Sequence, residues 1–162
     1  MSDHSFDVVS RVDLQEVRNA FGQAEKEIAN RYDLKRVQSR IALEGDAVLA
    51  ESADEFTLEQ TLDVLRTKLV KRGVHAKSLR PGKVDPASGG RVRQKIEFQQ
   101  GIPTETCKKL VAELKQRKLR IQAAIQGDSV RVTGKSKDEL QTAITALRSL
   151  DFDVPLEFTN YR

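Results

Sequence analysis

Residues Ile121 to Leu140, IQAAIQGDSVRVTGKSKDEL, set a strand, a tight turn, a second strand and a capped helix start within twenty positions. Ile121 to Ile125 and Ser129 to Thr133 both alternate apolar with polar residues, and Gly127-Asp128 between them supplies the backbone freedom of a hairpin turn. Ser136 followed by Glu139 is a capping box, and Leu140, Ile144, Leu147 and Leu150 then recur at helical spacing. The stretch predicts a β-β-α unit.

The same unit occurs 82 residues earlier. Gly45-Asp46 matches Gly127-Asp128, Val48 matches Val130, Leu58 matches Leu140 and Leu65 matches Leu147, all at turn or core positions where two copies of one fold must agree. Val37 to Glu44 and Val48 to Glu51 read as the first copy's hairpin. A helix follows from about Thr57 with Leu58, Leu62, Leu65 and Leu69 on one face, and Gly73 stops it. Upstream, Ser5 to Ser10 reads as a strand. A helix opened by Asp13, with Glu16 completing a capping box, carries Val17, Ala20, Phe21, Ala24 and Ile28 and ends near Tyr32. His75 to Leu79 is a weaker strand.

Residues 80 to 90, RPGKVDPASGG, interrupt every periodic pattern and read as a linker. Beyond it the order repeats, with a strand from Arg91 to Gln99, a helix from Pro103 to Lys118, the opening hairpin and helix, and a closing strand from Val154 to Phe158. Each half reads β-α-β-β-α-β. The expectation is an α+β protein of two tandem ferredoxin-like domains, each a four-stranded antiparallel sheet with two helices on one face. Their bounds are 1–82 and 91–162, with 83–90 between them.

Composition bounds the function. At 162 residues with 38% hydrophobic and 32% charged positions, the chain has the balance of a water-soluble fold, and no apolar run approaches the roughly 20 residues of a membrane helix. MSDHSFD lacks the basic and apolar regions of a signal peptide, so a cytoplasmic location without membrane attachment is expected. Cys107, alone, forms no intrachain disulfide, and its place in the stripe of Leu110, Val111 and Leu114 marks a core thiol. No His/Cys group has metal-ligand spacing, and His4 and His75 pair with no nucleophile, so neither a metal, a cofactor nor an enzyme activity is expected.

The net charge of +4 falls in the second half of the chain, and alternation gathers it on one sheet face. With Val92, Ile96, Ile121, Ile125, Val130 and Val132 turned to the helices, the open face receives Arg93, Lys95, Arg120, Gln122, Arg131 and Thr133. Four cations there suit phosphates, although long solvated side chains paired with Glu97 and Glu157 would show the same pattern. Gly134-Lys135-Ser136 adds a phosphate-friendly strand-to-helix turn. It is no Walker A motif, since Ser129 stands where the first glycine belongs and the parallel setting is missing. The expected ligand contacts are therefore Arg93, Lys95, Arg120, Arg131 and Lys135. Base stacking on the open sheet lacks aromatic residues, and only Tyr161 is available for it.

Several stretches together resemble the YajQ family of bacterial nucleotide-binding proteins: SFDVVS, NRYDLK, KIEFQQGI, IQGDSVRVTGKSKDELQ and PLEFTNYR, spanning Ser5 to Arg162. The resemblance implies a cytoplasmic bacterial protein with no established catalytic activity, for which GTP, tRNA and cyclic di-GMP are proposed ligands. The expectation is a non-enzymatic binder of a nucleotide, GTP, ATP or cyclic di-GMP; the alternatives are an RNA or tRNA binder acting through backbone contacts, or a protein-interaction adaptor of a transcription factor. The chain departs from the family pattern at Leu34-Lys35-Arg36, where relatives carry a glycine after the aromatic-acidic segment.

Overall fold

A computed structural model describes residues 3–162. Strand β1 (His4–Val9) is followed by helix α1 (Leu14–Asn30), a single helical turn α2 (Tyr32–Lys35), strands β2 (Arg40–Glu44) and β3 (Ala47–Ser52), and helix α3 (Glu55–Lys71). Strands β4 (Leu79–Pro86) and β5 (Val92–Phe98), helix α4 (Thr104–Gln116), strands β6 (Ile121–Gln126) and β7 (Ser129–Gly134), helix α5 (Lys137–Arg148) and strand β8 (Glu157–Thr159) complete the chain.

Local signals are met where the sequence carries them. Both hairpins turn on two residues, and Gly45 and Gly127 take φ of 61° and 64° while Asp46 and Asp128 stay out of that region, the pattern of a type II′ turn. Gly73, at φ 87°, ends α3 with Val74 N–H donating back to Leu69 O. Asp13 caps α1 through the amides of Gln15 and Glu16, but the box is half made, because the Glu16 carboxylate accepts from Asn19 and Arg72 instead. Helix α3 starts earlier than Thr57: Asp54 is its cap, and Thr57 closes the box.

The strands form two four-stranded sheets, ordered β6-β7-β1-β8 and β2-β3-β5-β4, with every pairing antiparallel. Both are ferredoxin-like, yet their membership departs from the expected bounds. The described residues up to Arg11 group with Gln100–Arg162, and Val12–Gln99 forms the other unit. Strand β1 sits between β7 and β8, and β5 sits between β3 and β4. The two leading strands have thus changed places. One unit is an ordinary βαββαβ chain interrupted after its first strand, and the inserted unit is a circular permutant of the same layout, its leading strand coming last.

The expected linker is consequently wrong. Residues 79 to 86 are an edge strand with a register break between Pro81 and Val84, and an outer position tolerates Pro81 and Pro86 because one side of the strand needs no amide donors. A 3-10 turn, Ala76–Ser78, replaces most of the strand expected at His75 to Leu79. His4 opens β1 rather than lying in a tail, and the closing strand shortens to Glu157–Thr159.

Each unit has its own core. Val17, Leu34, Val48, Leu58, Leu65 and Ile96 are among the residues filling the inserted one; Phe6, Val8, Leu110, Val130, Ile144 and Leu147 are among those filling the other. The regrouping also removes the charge asymmetry. Residues 1–11 with 100–162 carry 12 Lys+Arg against 10 Asp+Glu, and residues 12–99 carry 16 against 14, an excess of +2 in each.

Candidate functional site

The strand exchange separates the cations that alternation had gathered. Arg93 and Lys95 lie on β5, in the inserted unit, where Arg93 is in register with Glu51 and Asp85. Lys95 Nζ is 3.3 Å from Glu44 and 3.9 Å from Glu97. On the same face Glu51 accepts from Arg91 at 2.9 Å and pairs with Arg40 at 2.8 Å, and these partners, Arg91 first, hold its carboxyl below the ordinary range. That sheet face is charge-matched. Arg93 and Lys95 do not join the other three predicted contacts.

Arg131 is on the open face of the other sheet, as expected, but it is already engaged. It lies in register with Asp7 on β1, and its Nε donates to Asp7 Oδ1 at 2.9 Å. Asn160 Nδ2 donates to Asp7 Oδ2 at 2.8 Å. The Arg131 hydrogen bond is the largest cause that holds the buried Asp7 carboxyl below its usual value, working against burial, which pushes it up. The sequence reading missed this carboxylate. Its signal was a charged residue between Phe6 and Val8 in an apolar strand.

Arg120 and Lys135 are brought together. Arg120 leads into β6, Lys135 follows β7, and both line a cleft of about 620 Å³ with Gln122, Thr133, Ser136 and the two carboxylates Asp3 and Glu139. Gln122 and Thr133 are cross-strand partners on the open face. The floor includes Gly134, where an added Cβ would stand 3.1 Å from Ile121 Cγ2 and 3.2 Å from Arg120 O, so a side chain there would push on the start of β6 by a few tenths of an ångström. Ser136 caps α5 by accepting from Glu139 N–H, and the Glu139 carboxylate accepts from Arg120 N–H at 2.8 Å. That bond pins the start of β6 to the first turn of α5. Among the described residues neither the Arg120 guanidinium nor the Lys135 ammonium has an ion-pair partner. Two exposed cations with hydroxyl and amide donors between them can bind an anion of several oxygens. The strands meeting here are antiparallel, so the turn is not a P-loop.

Cys107 is fully buried, and burial followed by the nearby Asp128 charge raises its thiol, which disfavours the reactive thiolate. Among the described residues no group of three or more His, Cys, Asp or Glu is arranged to hold a metal ion, and no helix is long and apolar enough to cross a membrane.

Two ferredoxin-like units with exchanged leading strands, one of them bearing a polar cleft with Arg120 and Lys135 at the start of α5, define a small α+β binding protein. The sequence model described as nucleotide-binding protein YajQ-like matches residues 4–162, and the chain belongs to that family. It is 52% identical over 163 aligned positions to a nucleotide-binding protein of Chloroherpeton thalassium, covering 99% of both chains. A nucleotide-binding protein of Koribacter versatilis is 51% identical, with 100% of this chain and 99% of that one aligned. One of Trichlorobacter lovleyi is also 51% identical over 98% of each.

Proposed function

We propose that this chain is a cytoplasmic nucleotide-binding protein that holds the phosphates of its ligand between Arg120 and Lys135 and does not transform it. The observation that carries the reading is the cleft itself, in which two cations that have no ion-pair partner among the described residues meet Gln122, Thr133 and Ser136, with Asp3 and Glu139 also in the lining. Its volume lies within the roughly 300–1,000 Å³ usual for small-molecule sites. The names of the relatives support nucleotide as the ligand class. The relatives' names speak of binding and of no reaction, which supports binding without catalysis. Cyclic di-GMP, GTP and ATP are the ligands to compare, and an effector that passes its loaded state to a transcription factor is the finer form of this proposal.

Calorimetric titration with these three nucleotides tests it. The Arg120→Glu/Lys135→Glu variant should bind at least about tenfold more weakly, because charge-assisted hydrogen bonds contribute about 1.5–3 kcal/mol each. Arg93→Glu, on the other unit's charge-matched sheet, should bind as the wild type does. Equal binding by all three proteins removes the cleft as the site. Unchanged nucleotide after incubation, read by chromatography, checks the absence of turnover. If the panel fails and RNA binds with an affinity that falls steeply with salt, the ligand is a nucleic-acid backbone instead.

A further inference from the structure

A second concavity, of about 270 Å³, adjoins the cleft of Arg120 and Lys135. Asp3 lines the first and His4 the second; Ser136 lines the first and Lys137 the second. Ser136 and Glu139 present one side of the start of α5 to the first cleft, while Lys137, Gln141 and Ile144, at i, i+4 and i+7, present another to its neighbour. Only the beginning of β1 and the cap of α5 separate the two.

Their chemistry differs. Phe6, Leu140 and Ile144 give the second concavity an apolar floor, and Tyr161 forms a wall with its ring 6.3 Å from that of Phe6 and inclined by 35°. Tyr161 is 62% exposed, and no other aromatic residue of this unit is so open among the described residues. It is nevertheless held in place. Asn160 turns the chain at φ 54° while donating to Asp7, and Ser5 and Arg162 exchange both backbone hydrogen bonds, at 3.2 and 2.9 Å, on either side of the ring's attachment. Lys137 and Arg162 stand at the rim. An apolar floor, a fixed aromatic face and rim cations beside the cleft of Arg120 and Lys135 suit a flat heteroaromatic ring carrying an anionic group.

Resting on the nucleotide reading above, we infer that this concavity seats the base of the nucleotide, stacked on Tyr161, while the phosphates occupy the cleft of Arg120 and Lys135. Stacking is indifferent to which base is offered, so the site selects for a base attached to phosphate rather than for one base over another.

The test compares GTP, ATP, guanosine and inorganic triphosphate. Tyr161→Ala should weaken GTP and ATP by about tenfold and leave triphosphate unchanged, and Tyr161→Phe should bind as wild type does. The chain has two tyrosines and no tryptophan, so Tyr32→Phe leaves Tyr161 as the only strong emitter. Its fluorescence should be quenched by GTP and untouched by triphosphate. Wild-type affinity for GTP in Tyr161→Ala, or unquenched emission at saturating GTP, overturns the inference. Triphosphate bound as tightly as GTP overturns the base seat and leaves the phosphate cleft standing; guanosine quenching without any triphosphate binding does the reverse. If nothing binds, both readings fall.

Discussion

Gly101 holds φ at +77° just after the chain re-enters the sheet of β1, and its N–H donates to Ser10 O at 2.8 Å. A Cβ there would run into the Asp128 carboxylate and stand 2.6 Å from the Asp128 Cβ. Gly127 has a similar φ of +64° with nothing within 4 Å of an added Cβ. Gly127→Ala should therefore cost only the strain of a side chain at positive φ, and Gly101→Ala such strain plus a clash. Urea unfolding of both variants checks the order, and adding Asp128→Ala should recover part of the loss at Gly101 but none at Gly127. Asp7 contributes to the pH dependence of the same unit. Its carboxyl titrates below its ordinary 3.8 in the folded protein, chiefly because Arg131 donates to it, so the stability it contributes is complete above that value and is lost as the pH falls toward the folded value. Stability of Asp7→Asn should fall less than that of the wild type between neutral pH and about pH 3. Equal acid sensitivity, by the same unfolding measurement, would remove Asp7 as a source of it.

Helix α3 is tied to its sheet by a chain of hydroxyls. Ser39 Oγ is 2.7 Å from Ser52 Oγ, Ser52 donates to Thr57 Oγ1 at 2.7 Å, and Thr57 donates to the Asp54 carboxylate at 2.7 Å. Ser52 is fully buried, so Thr57→Val keeps the shape but leaves Ser52 with Ser39 alone and breaks the box with Asp54, and should cost about 1–3 kcal/mol in chemical denaturation. The apolar stripe from Leu58 to Leu69 announced this helix without fixing where it begins, because Asp54 and Thr57 act through side-chain geometry that periodicity does not register. The same distinction runs through the molecule. Both Gly-Asp hairpins and the faces of β6 and β7 were legible, since they depend on neighbours within a few residues. The pairing of β5 with β3, across more than forty residues, leaves no local mark, and Pro81-Gly82 disguised an edge strand as a connection. The site divided along the same line. Arg120 and Lys135 were readable because one hairpin sets both, whereas assigning Arg93 and Lys95 to their sheet required the strand exchange. Asp7 pairs with Arg131 across 124 positions, beyond any pattern in either segment.

The exchange of leading strands determines which pieces of the chain can stand alone. Residues Val12–Gln99 contain all of β2, β3, β4 and β5, both long helices that cover them and a closed core. Residues 1–82 stop within β4 and lack β5, whose Ile96 is 1% exposed opposite Val48. A chain of residues 12–99 should unfold cooperatively in urea with a helix-and-sheet circular dichroism spectrum, and one of residues 1–82 should not. The reverse result would mean that the pairing of β3 with β5 is dispensable. The remaining unit can be closed as well, because the hydrogen bond from Gly101 N–H to Ser10 O holds the two ends of the insertion side by side. Deleting residues 12–99 and joining Arg11 to Gln100 through a short glycine-serine bridge restores the uninterrupted order β1-α4-β6-β7-α5-β8. Loop closure over a few residues costs little compared with the folded unit's core. Arg120, Lys135, Phe6 and Tyr161 all belong to this unit, so the shortened chain should fold and bind GTP with an affinity close to that of the whole protein. A shortened chain that folds, by circular dichroism and cooperative melting, yet fails to bind GTP in calorimetry would show that the inserted unit supplies contacts of its own, and would relocate the site from the start of α5.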